Sequence, residues 1–371
     1  MKKFVKTVLT ASTVFVALFY SPDVFVYYIS PRQFWPIGIL GIGFFYLFAA
    51  LLCCGITWLF FNRKTSAFLF VLLIAGIPVL KNVVAFHRPN GFAVEKKTGS
   101  FRIMQWNCAG MPGITHYFPD EQVKRLATIG FIEKYQPDFI CLQDFTETKG
   151  QNILSNISLL RDSLHYPYYT FRTHYFSRQS WGDTWTGIAI FSKFPLQDTG
   201  LVTYPEKIYP ESILWADLVL NQKKIRISTT HLQSMHLSHD FNSVPLDSMQ
   251  WQDSLVIIHG SKLGKLRYFQ SYHVKQAIVL KQFIDTCNVP MILGSDLNSV
   301  PSSYVYHQVK SKLKDAFLEK GSGLGRTYHS MQPALRIDYL FHNDPVHILQ
   351  LAVFPNSLSD HDPLLMDFEL K

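Results

Sequence analysis

The pattern of apolar positions changes character near residue 90. Before it, apolar residues run on without alternation. The strongest run, Gln33 to Asn62, carries no charged residue and stops at Arg63-Lys64. It exceeds the roughly 20 residues that a helix needs to cross the hydrocarbon core. Two weaker runs flank it: Thr7 to Pro22, ahead of Asp23, and Thr65 to Leu80, with Lys81 placed to snorkel and Val83 to Phe86 beyond. The pattern predicts three spans, at about 5–25, 34–60 and 66–86. Lys2, Lys3 and Lys6 also suit the start of a signal peptide, but no clear small-x-small cleavage site follows and more apolar helix does.

Beyond the breakers Pro89, Asn90, Gly91 and Gly99 the pattern turns to short runs between polar turns. Segments 101–110, 138–145, 187–195, 213–220, 224–232, 289–298, 336–343, 346–354 and 363–370 read as strands. Asn221-Gln222-Lys223 joins two of them at hairpin length. Asp120 is the expected cap of a helix with Val123, Leu126, Ile129 and Ile132 facing inward, and 267–286 has helical spacing. The stretch 235–265 reads as a long insertion, and no internal repeat is present. The expected organisation is a membrane region (1–90), a polar linker (91–100) and an α/β domain (101–371) with mostly antiparallel pairing.

Charge refines this division. The chain is +8 overall, a balance that first suggests an acidic partner. Residues 1–90 hold eight Lys or Arg against the single Asp23, so the remaining domain is only +1. A uniformly basic, nucleic-acid-coating surface is thereby disfavoured. The basic residues instead flank the apolar runs, and the positive-inside rule puts the start and the 62–65 loop in the cytoplasm. With three spans, everything after Phe86 is extracytoplasmic; with two, the domain is cytoplasmic. The expected location is a bacterial-type inner or plasma membrane. The five cysteines have no metal-site spacing and read as free, small apolar residues.

Candidate chemistry collects at the ends of predicted strands. Asn107 ends the first, Asp144 the second; Asp296 and Asn298 sit in GSDLN, and Asp360 and His361 in SDHDP before the last strand. His231 in THLQS and Asp338 in RIDYL join them. Singly, an Asp or Asn after a strand is an ordinary turn residue. Together the strings MQWNCAGM, PDFICLQDF, TGIAIFSKFP, STTHLQS, PMILGSDLNSVPSS, RIDYLF and SDHDPL resemble, in order, the endonuclease/exonuclease/phosphatase superfamily of DNase I-like phosphoesterases.

That resemblance implies a four-layer α/β sandwich of two packed mixed sheets with outer helices. It also implies hydrolysis of a phosphate ester with Mg²⁺ or Mn²⁺. By the resemblance, Asn107, Asp144 and Asp360 are the expected metal ligands and Asp296 the base that activates water, with Asn298 beside it. His361, held by Asp338, and His231 are the expected phosphate-contacting histidines. The chemistry is consistent, since phosphoryl transfer is mostly positioning and charge stabilisation and Mg²⁺ takes oxygen ligands. One departure stands out: the family usually has Glu after LQ, where this chain has the shorter Asp144.

The expected protein is therefore a membrane-anchored hydrolase of phosphate esters. Its partners are a phosphate-ester substrate and, through the N-terminal helices, the lipid bilayer; no protein partner is inferable. The substrate stays open between nucleic acid, phospholipid and a phosphorylated small molecule. THLQS is similar to the THLQ run of bacterial sphingomyelinases. The aromatic stretch 166–185 is either a substrate rim or loop packing against a sheet edge. A catalytically silent anchored binding protein on the same fold is the alternative from another class, supported by Asp144 alone.

Overall fold

The computed structural model describes residues 2–88, 91–111, 119–150, 154–179, 182–205, 211–235, 262–330 and 335–371. The core of the expected 235–265 insertion lies outside them, as does the side chain of Asp120.

The continuous apolar runs form helices α1 (Lys2–Asp23), α2 (Pro36–Trp58), α3 (Arg63–Ala75) and α4 (Ile77–Val83). Two of them, α1 and α2, are long and apolar enough to cross a membrane. The third expected span is broken: α3 and α4 meet at 53°. Gly76 sits at the break and Pro78 follows, where a missing N–H and a fixed φ suit a new helix start. Asn62 caps α3 by accepting from the Lys64 and Thr65 amides. Tyr20, Phe44, Leu51, Leu69 and Leu73 pack inward, while Phe15, Leu18, Phe68 and Val71 point outward.

The remaining chain runs β1 (Ala85–Phe86), β2 (Phe101–Asn107), α5 (Pro119–Tyr135), β3 (Phe139–Lys149), α6 (Asn156–Ser158), β4 (Tyr168–Gln179), β5 (Gly182–Ser192), β6 (Leu196–Thr203), β7 (Ser212–Leu220), β8 (Lys223–His231), α7 (Lys262–Thr286), β9 (Met291–Asp296), α8 (Tyr304–Lys310), β10 (Lys314–Asp315), α9 (Ala316–Lys320), β11 (Ser322–Gly323), β12 (Asp338–His342), β13 (Val346–Val353) and β14 (Leu364–Leu370). Two six-stranded sheets result, ordered β10-β12-β9-β8-β7-β6 and β13-β14-β2-β3-β5-β4. Only β2–β3 and β8–β9 pair in parallel within them. Between the sheets lies an apolar layer including Ile103, Phe139, Ile190, Leu218, Ile227, Ile292 and Met366. The outer face of one sheet packs on α5 through Met104, Ile140, Ile132 and Tyr135. The other packs on α7 and α8 through Leu293, Tyr339, Ala277, Leu280 and Tyr306. This is the expected four-layer sandwich of mixed sheets.

Details depart from the sequence expectation. The inward face of α5 is Arg125, Thr128, Ile132 and Tyr135, while Val123 and Leu126 are exposed. A polar contact turns the helix: Arg125 donates to the Asn156 side chain and to the Ser155 carbonyl. The aromatic stretch is a strand, β4, antiparallel to β5 at the sheet edge. The β7–β8 turn carries positive φ at Asn221 and Gln222, the pair of left-handed residues that a two-residue hairpin needs. All five cysteines are unpaired; Cys108 and Cys141 are buried, but Cys53 lies exposed on α2.

One buried charge of the sandwich is closed on all sides by partners. Arg102, wholly buried, makes a bidentate pair with Asp367 at 2.6 and 2.8 Å and donates to the Val94, Tyr135 and Ala93 carbonyls. Segment 91–97 is thereby held to the sheet, and Lys96 pairs with Asp138 at 2.6 Å.

Candidate active site

Strand register, not sequence proximity, assembles the polar cluster. Asp296 ends β9, a central strand. On one side β8 pairs with it in parallel so that His231 lies opposite Asp296. On the other side β12 runs antiparallel and puts Asp338 opposite the same residue. In the facing sheet β2 pairs with β3 in parallel, and that pairing ends at Asn107 and Gln143, while β3 runs on beside β5. The two parallel pairs thus bring their C-terminal ends, where side chains are freed from the ladder, to one edge of the sandwich.

Asp144 follows at a break in the β3–β5 register and adopts φ +48°. A left-handed conformation is tolerated by Asp better than by most residues. The kink aims its carboxylate back over the sheet end. The Asn107 amide bridges the two sheets, donating to Asp144 Oδ2 at 3.1 Å and to Asp296 Oδ2 at 3.0 Å. Asp296 Oδ1 accepts from the Asn298 backbone N–H at 2.9 Å, so one oxygen is anchored and the other faces the cluster. Asn298 also has positive φ, and its amide donates to the Leu232 carbonyl and lies 3.2 Å from His231 Nε2.

His361 Nδ1 lies 2.9 Å from Asp338 Oδ2 and 3.8 Å from Asp296 Oδ2. Its ring lies against Tyr328, tilted by 50°, and its carbonyl accepts from the Trp106 indole. Ser359 steadies the same turn by donating to the Asn107 carbonyl and accepting from the His361 amide. Asp296, Asp338 and His361 present ligand-type atoms within 4.8 Å of one another. Asp360 sits at the rim, its carboxylate 3.4 Å from the Ser330 and Ser359 hydroxyls.

The electrostatics follow from burial among carboxylates. Burial alone would lower His361, but Asp338, Asp296 and Asp360 outweigh it and hold the imidazole up at about 10. His231 is likewise lowered by burial and raised by Asp144, Glu211 and Asp296, to about 9. Burial keeps Asp338 above the usual carboxylate range, against the pull of His361. The surrounding carboxylates thus favour the protonated form of both histidines, the form suited to bind a phosphate oxygen.

One acidic residue went unnoticed in the sequence. Glu211, buried one residue before β7, lies 2.8 Å from His174 Nδ1 and 3.5 Å from His231 Nδ1. His174 Nε2 in turn meets the Ser212 hydroxyl at 2.8 Å. The only signal was a lone acid opening an apolar run, ESILWADLVL. Asp144 reaches the same His231 nitrogen, also at 3.5 Å. Two carboxylates thus flank that histidine on the side where the sequence has Asp for Glu.

The donor set fits a hard divalent cation. Asp144 and Asp296 turn carboxylate oxygens to the Asn107 amide nitrogen between them, while the Asn107 oxygen accepts from the Ala109 amide; oxygen donors of this kind are what such cations take. His231 Nδ1 is buried and has no hydrogen-bond partner among the described residues, so its neighbourhood is arranged by charge more than by hydrogen bonds.

Comparison with known proteins adds the family. The sequence profile of the Endonuclease/Exonuclease/phosphatase family matches residues 104–361. A profile described as a domain of unknown function matches residues 4–83. No curated protein sequence matches the chain. Among solved structures, the human Nocturnin catalytic domain with bound sulfate is similar at 18% identity and a TM-score of 0.51, covering 74% of this chain and 94% of that one. An endonuclease/exonuclease/phosphatase from Beutenbergia cavernae is similar at 19% identity and 0.52, covering 73% and 72%. A family protein from Leptotrichia buccalis follows at 13% and 0.50, covering 73% and 99%. At such identities the structural likeness is one of fold.

Proposed function

Because this chain belongs to the endonuclease/exonuclease/phosphatase family, we propose that it is a membrane-anchored, divalent-metal-dependent phosphoesterase that hydrolyses a phosphate ester with water. The observation that carries the reading is the register that puts His231 and Asp338 on either side of Asp296, with His361 hydrogen-bonded to Asp338.

Asn107 and Asp144 are the residues to hold Mg²⁺ or Mn²⁺, with Asp360 at the rim. A bound ion would supply positive charge there to offset that of the phosphate oxygens. Asp296 takes the proton of the attacking water through Oδ2, while the Asn298 amide fixes Oδ1. His361 gives Nδ1–H to Asp338, which leaves Nε2 to donate to a phosphate oxygen. His231, whose protonated form is favoured by its carboxylate neighbours, supplies a second donor from the other side of Asp296. Asn298 orients beside it.

Anchoring is supported by the two apolar helices. The Asn82 side chain donates to the Tyr27 hydroxyl at 2.8 Å, so the segment before α2 and the end of α4 lie at one level. Such a round trip suits α2 and the bent α3–α4 pair crossing and returning. With Lys2, Lys3, Lys6, Arg63 and Lys64 inside, the sandwich is then extracytoplasmic. The domain's charge of +1 argues against a long polyanionic substrate.

The test is turnover by the full chain in nanodiscs, with Mg²⁺, Mn²⁺ or EDTA. Substrates are bis(p-nitrophenyl) phosphate, DNA, RNA, a lipid phosphodiester and inositol phosphates. We expect hydrolysis of at least one ester, lost with EDTA and restored by metal. No metal-dependent turnover on any of them contradicts the proposal and leaves a binding protein on the same fold. A reporter fused after Lys371 and active in the cytoplasm contradicts the sidedness.

A further inference from the structure

The loop that carries the proposed base does not end within the sandwich. From Asp296 it runs through Asn298 to Ser303, the side-chain cap of α8. Its first part is held by its own domain: the Leu297 amide donates to the Ile337 carbonyl and the Tyr339 hydroxyl to the Ser299 carbonyl. Its second part is held by the N-terminal helices. The Tyr27 hydroxyl donates to the Pro301 carbonyl at 3.0 Å, and the Tyr27 ring stacks on His307 of α8 at 4.6 Å. The Ser302 hydroxyl donates to the Gly41 carbonyl at 2.6 Å. Gly41 has no alternative side chain at this contact, because a Cβ there would stand 2.2 Å from the Ser302 carbonyl oxygen. Nearby, Arg336, wholly buried and paired with Asp315, donates to the Asn82 carbonyl.

A second line of contact reaches His361. Ile42, next to Gly41 on α2, packs against Val300, Leu335 and Ile337 in a cluster that also includes Tyr328. Tyr328 is the ring that lies against His361, tilted by 50° with centroids 4.8 Å apart. Both the proposed base and the proposed phosphate donor His361 therefore rest on groups seated against the first two turns of α2.

We propose that the start of α2 is a structural part of the active site: Gly41 and Ile42 wedge the 297–303 loop and the Tyr328 patch, and Asp296, Asn298 and His361 hold their working geometry only while the helix is seated. The membrane region then does more than tether; Gly41, Ile42 and Ser302 are positioning residues. This rests on the phosphoesterase reading for its kinetic consequence but not for the contact itself. Small displacements of catalytic groups are costly, since a misplacement of about 1 Å can lower the rate on the order of a hundred-fold.

The test compares two glycines of the same helix in full-length protein in nanodiscs. A Cβ at Gly41 meets backbone; a Cβ at Gly43 meets only Leu47 Cδ1, at 3.9 Å. For Gly41→Val we expect kcat on bis(p-nitrophenyl) phosphate to fall by about ten-fold or more, with KM and the melting of the sandwich little changed. Gly43→Val should match the wild type. In hydrogen exchange read by mass spectrometry, the 297–303 amides should open about ten-fold faster in Gly41→Val alone. If Gly41→Val does not accumulate, Ser302→Ala removes one hydrogen bond and should raise the same exchange about five-fold. Unchanged exchange in the variant that can be made, or unchanged kcat beside faster exchange, overturns the proposal. Absence of turnover even in the wild type would remove the phosphoesterase reading, while the exchange result would still decide the wedge.

Discussion

The two regions of this chain are built on opposite rules. In the sandwich, apolar residues such as Ile103, Ile190, Ile292 and Met366 are wholly buried. In helices α1–α4, Phe15, Leu18, Phe68 and Val71 are each more than 60% exposed, while the polar Thr13 and Ser66 are buried. Those polar groups are satisfied inside: the Trp58 indole donates to Thr13, and Ser66 donates to the Gly55 carbonyl. An outside of Phe and Leu around an inside of bonded hydroxyls suits a lipid solvent. The difference teaches where each region draws its order. The sandwich is ordered by excluding water; the helices turn apolar side chains outward and bond Thr13 and Ser66 inside, while the buried Tyr20 hydroxyl and Asp23 carboxylate have no hydrogen-bond partner among the described residues.

The contrast can be broken most forcefully at Arg102. Arg102→Ala leaves the buried Asp367 carboxylate without its main partner, which costs about 3–5 kcal/mol. Thermal melting should show the sandwich transition lowered or lost while helical signal from the N-terminal region persists. Joint loss of both signals would mean that the two regions unfold as one.

Next comes a charge placed on each outer surface. Leu18→Arg should cost about 2.5–3.5 kcal/mol of insertion free energy if that face meets lipid. The same change at exposed Val219 of β7 should fall within about 0.5 kcal/mol. Alkaline extraction of membranes reads the first and thermal melting the second. Equal tolerance at the two sites would contradict the lipid assignment.

A pH effect is expected in the sandwich. His273 of α7 is buried, with Nε2 2.6 Å from the Gln233 carbonyl and Nδ1 3.3 Å from the Ser299 hydroxyl. Burial pulls its imidazole down to about 4 from 6.5. The folded state thus refuses a proton that the unfolded chain accepts below pH 6.5. Stability from this group is complete above that pH and falls as the pH drops toward 4, by at most about 3 kcal/mol. His273→Gln should flatten this acid limb in denaturant melts taken between pH 7 and pH 4.

The smallest expected effect concerns Glu211. If it orients His231, Glu211→Gln should lower kcat by about ten-fold and shift the pH dependence of turnover, with the sandwich melting near the wild-type temperature. Unchanged kinetics would leave Glu211 as a partner of His174 only.

Much of the fold was legible because strand ends and turns leave local marks. GSDLN and THLQS each announce a strand running into a polar loop, SDHDP a polar loop running into a strand, and the continuous run 33–62 announces α2. The site residues were legible as types, but not their arrangement, which is set by cross-strand register. Glu211 escaped because it gains meaning only beside His174 and His231, far away in sequence. The inward face of α5 was misread because Arg125 is buried by a specific polar partner that periodicity does not see. The seat of α2 on the catalytic loop was invisible for the same reason: Gly41 and Ser302 lie 261 residues apart, and either one alone is an ordinary residue in its own segment.

The central claim is that Asp296 and its neighbours perform metal-dependent ester hydrolysis. The most direct measurement is steady-state turnover of the substrate found for the wild type, at saturating metal, by full-length Asp296→Asn in nanodiscs. The change keeps shape and removes the base, so kcat should fall by about 10²–10⁴ with Mn²⁺ still bound and the melting temperature near the wild type's. Turnover within a few-fold of the wild type would contradict the account.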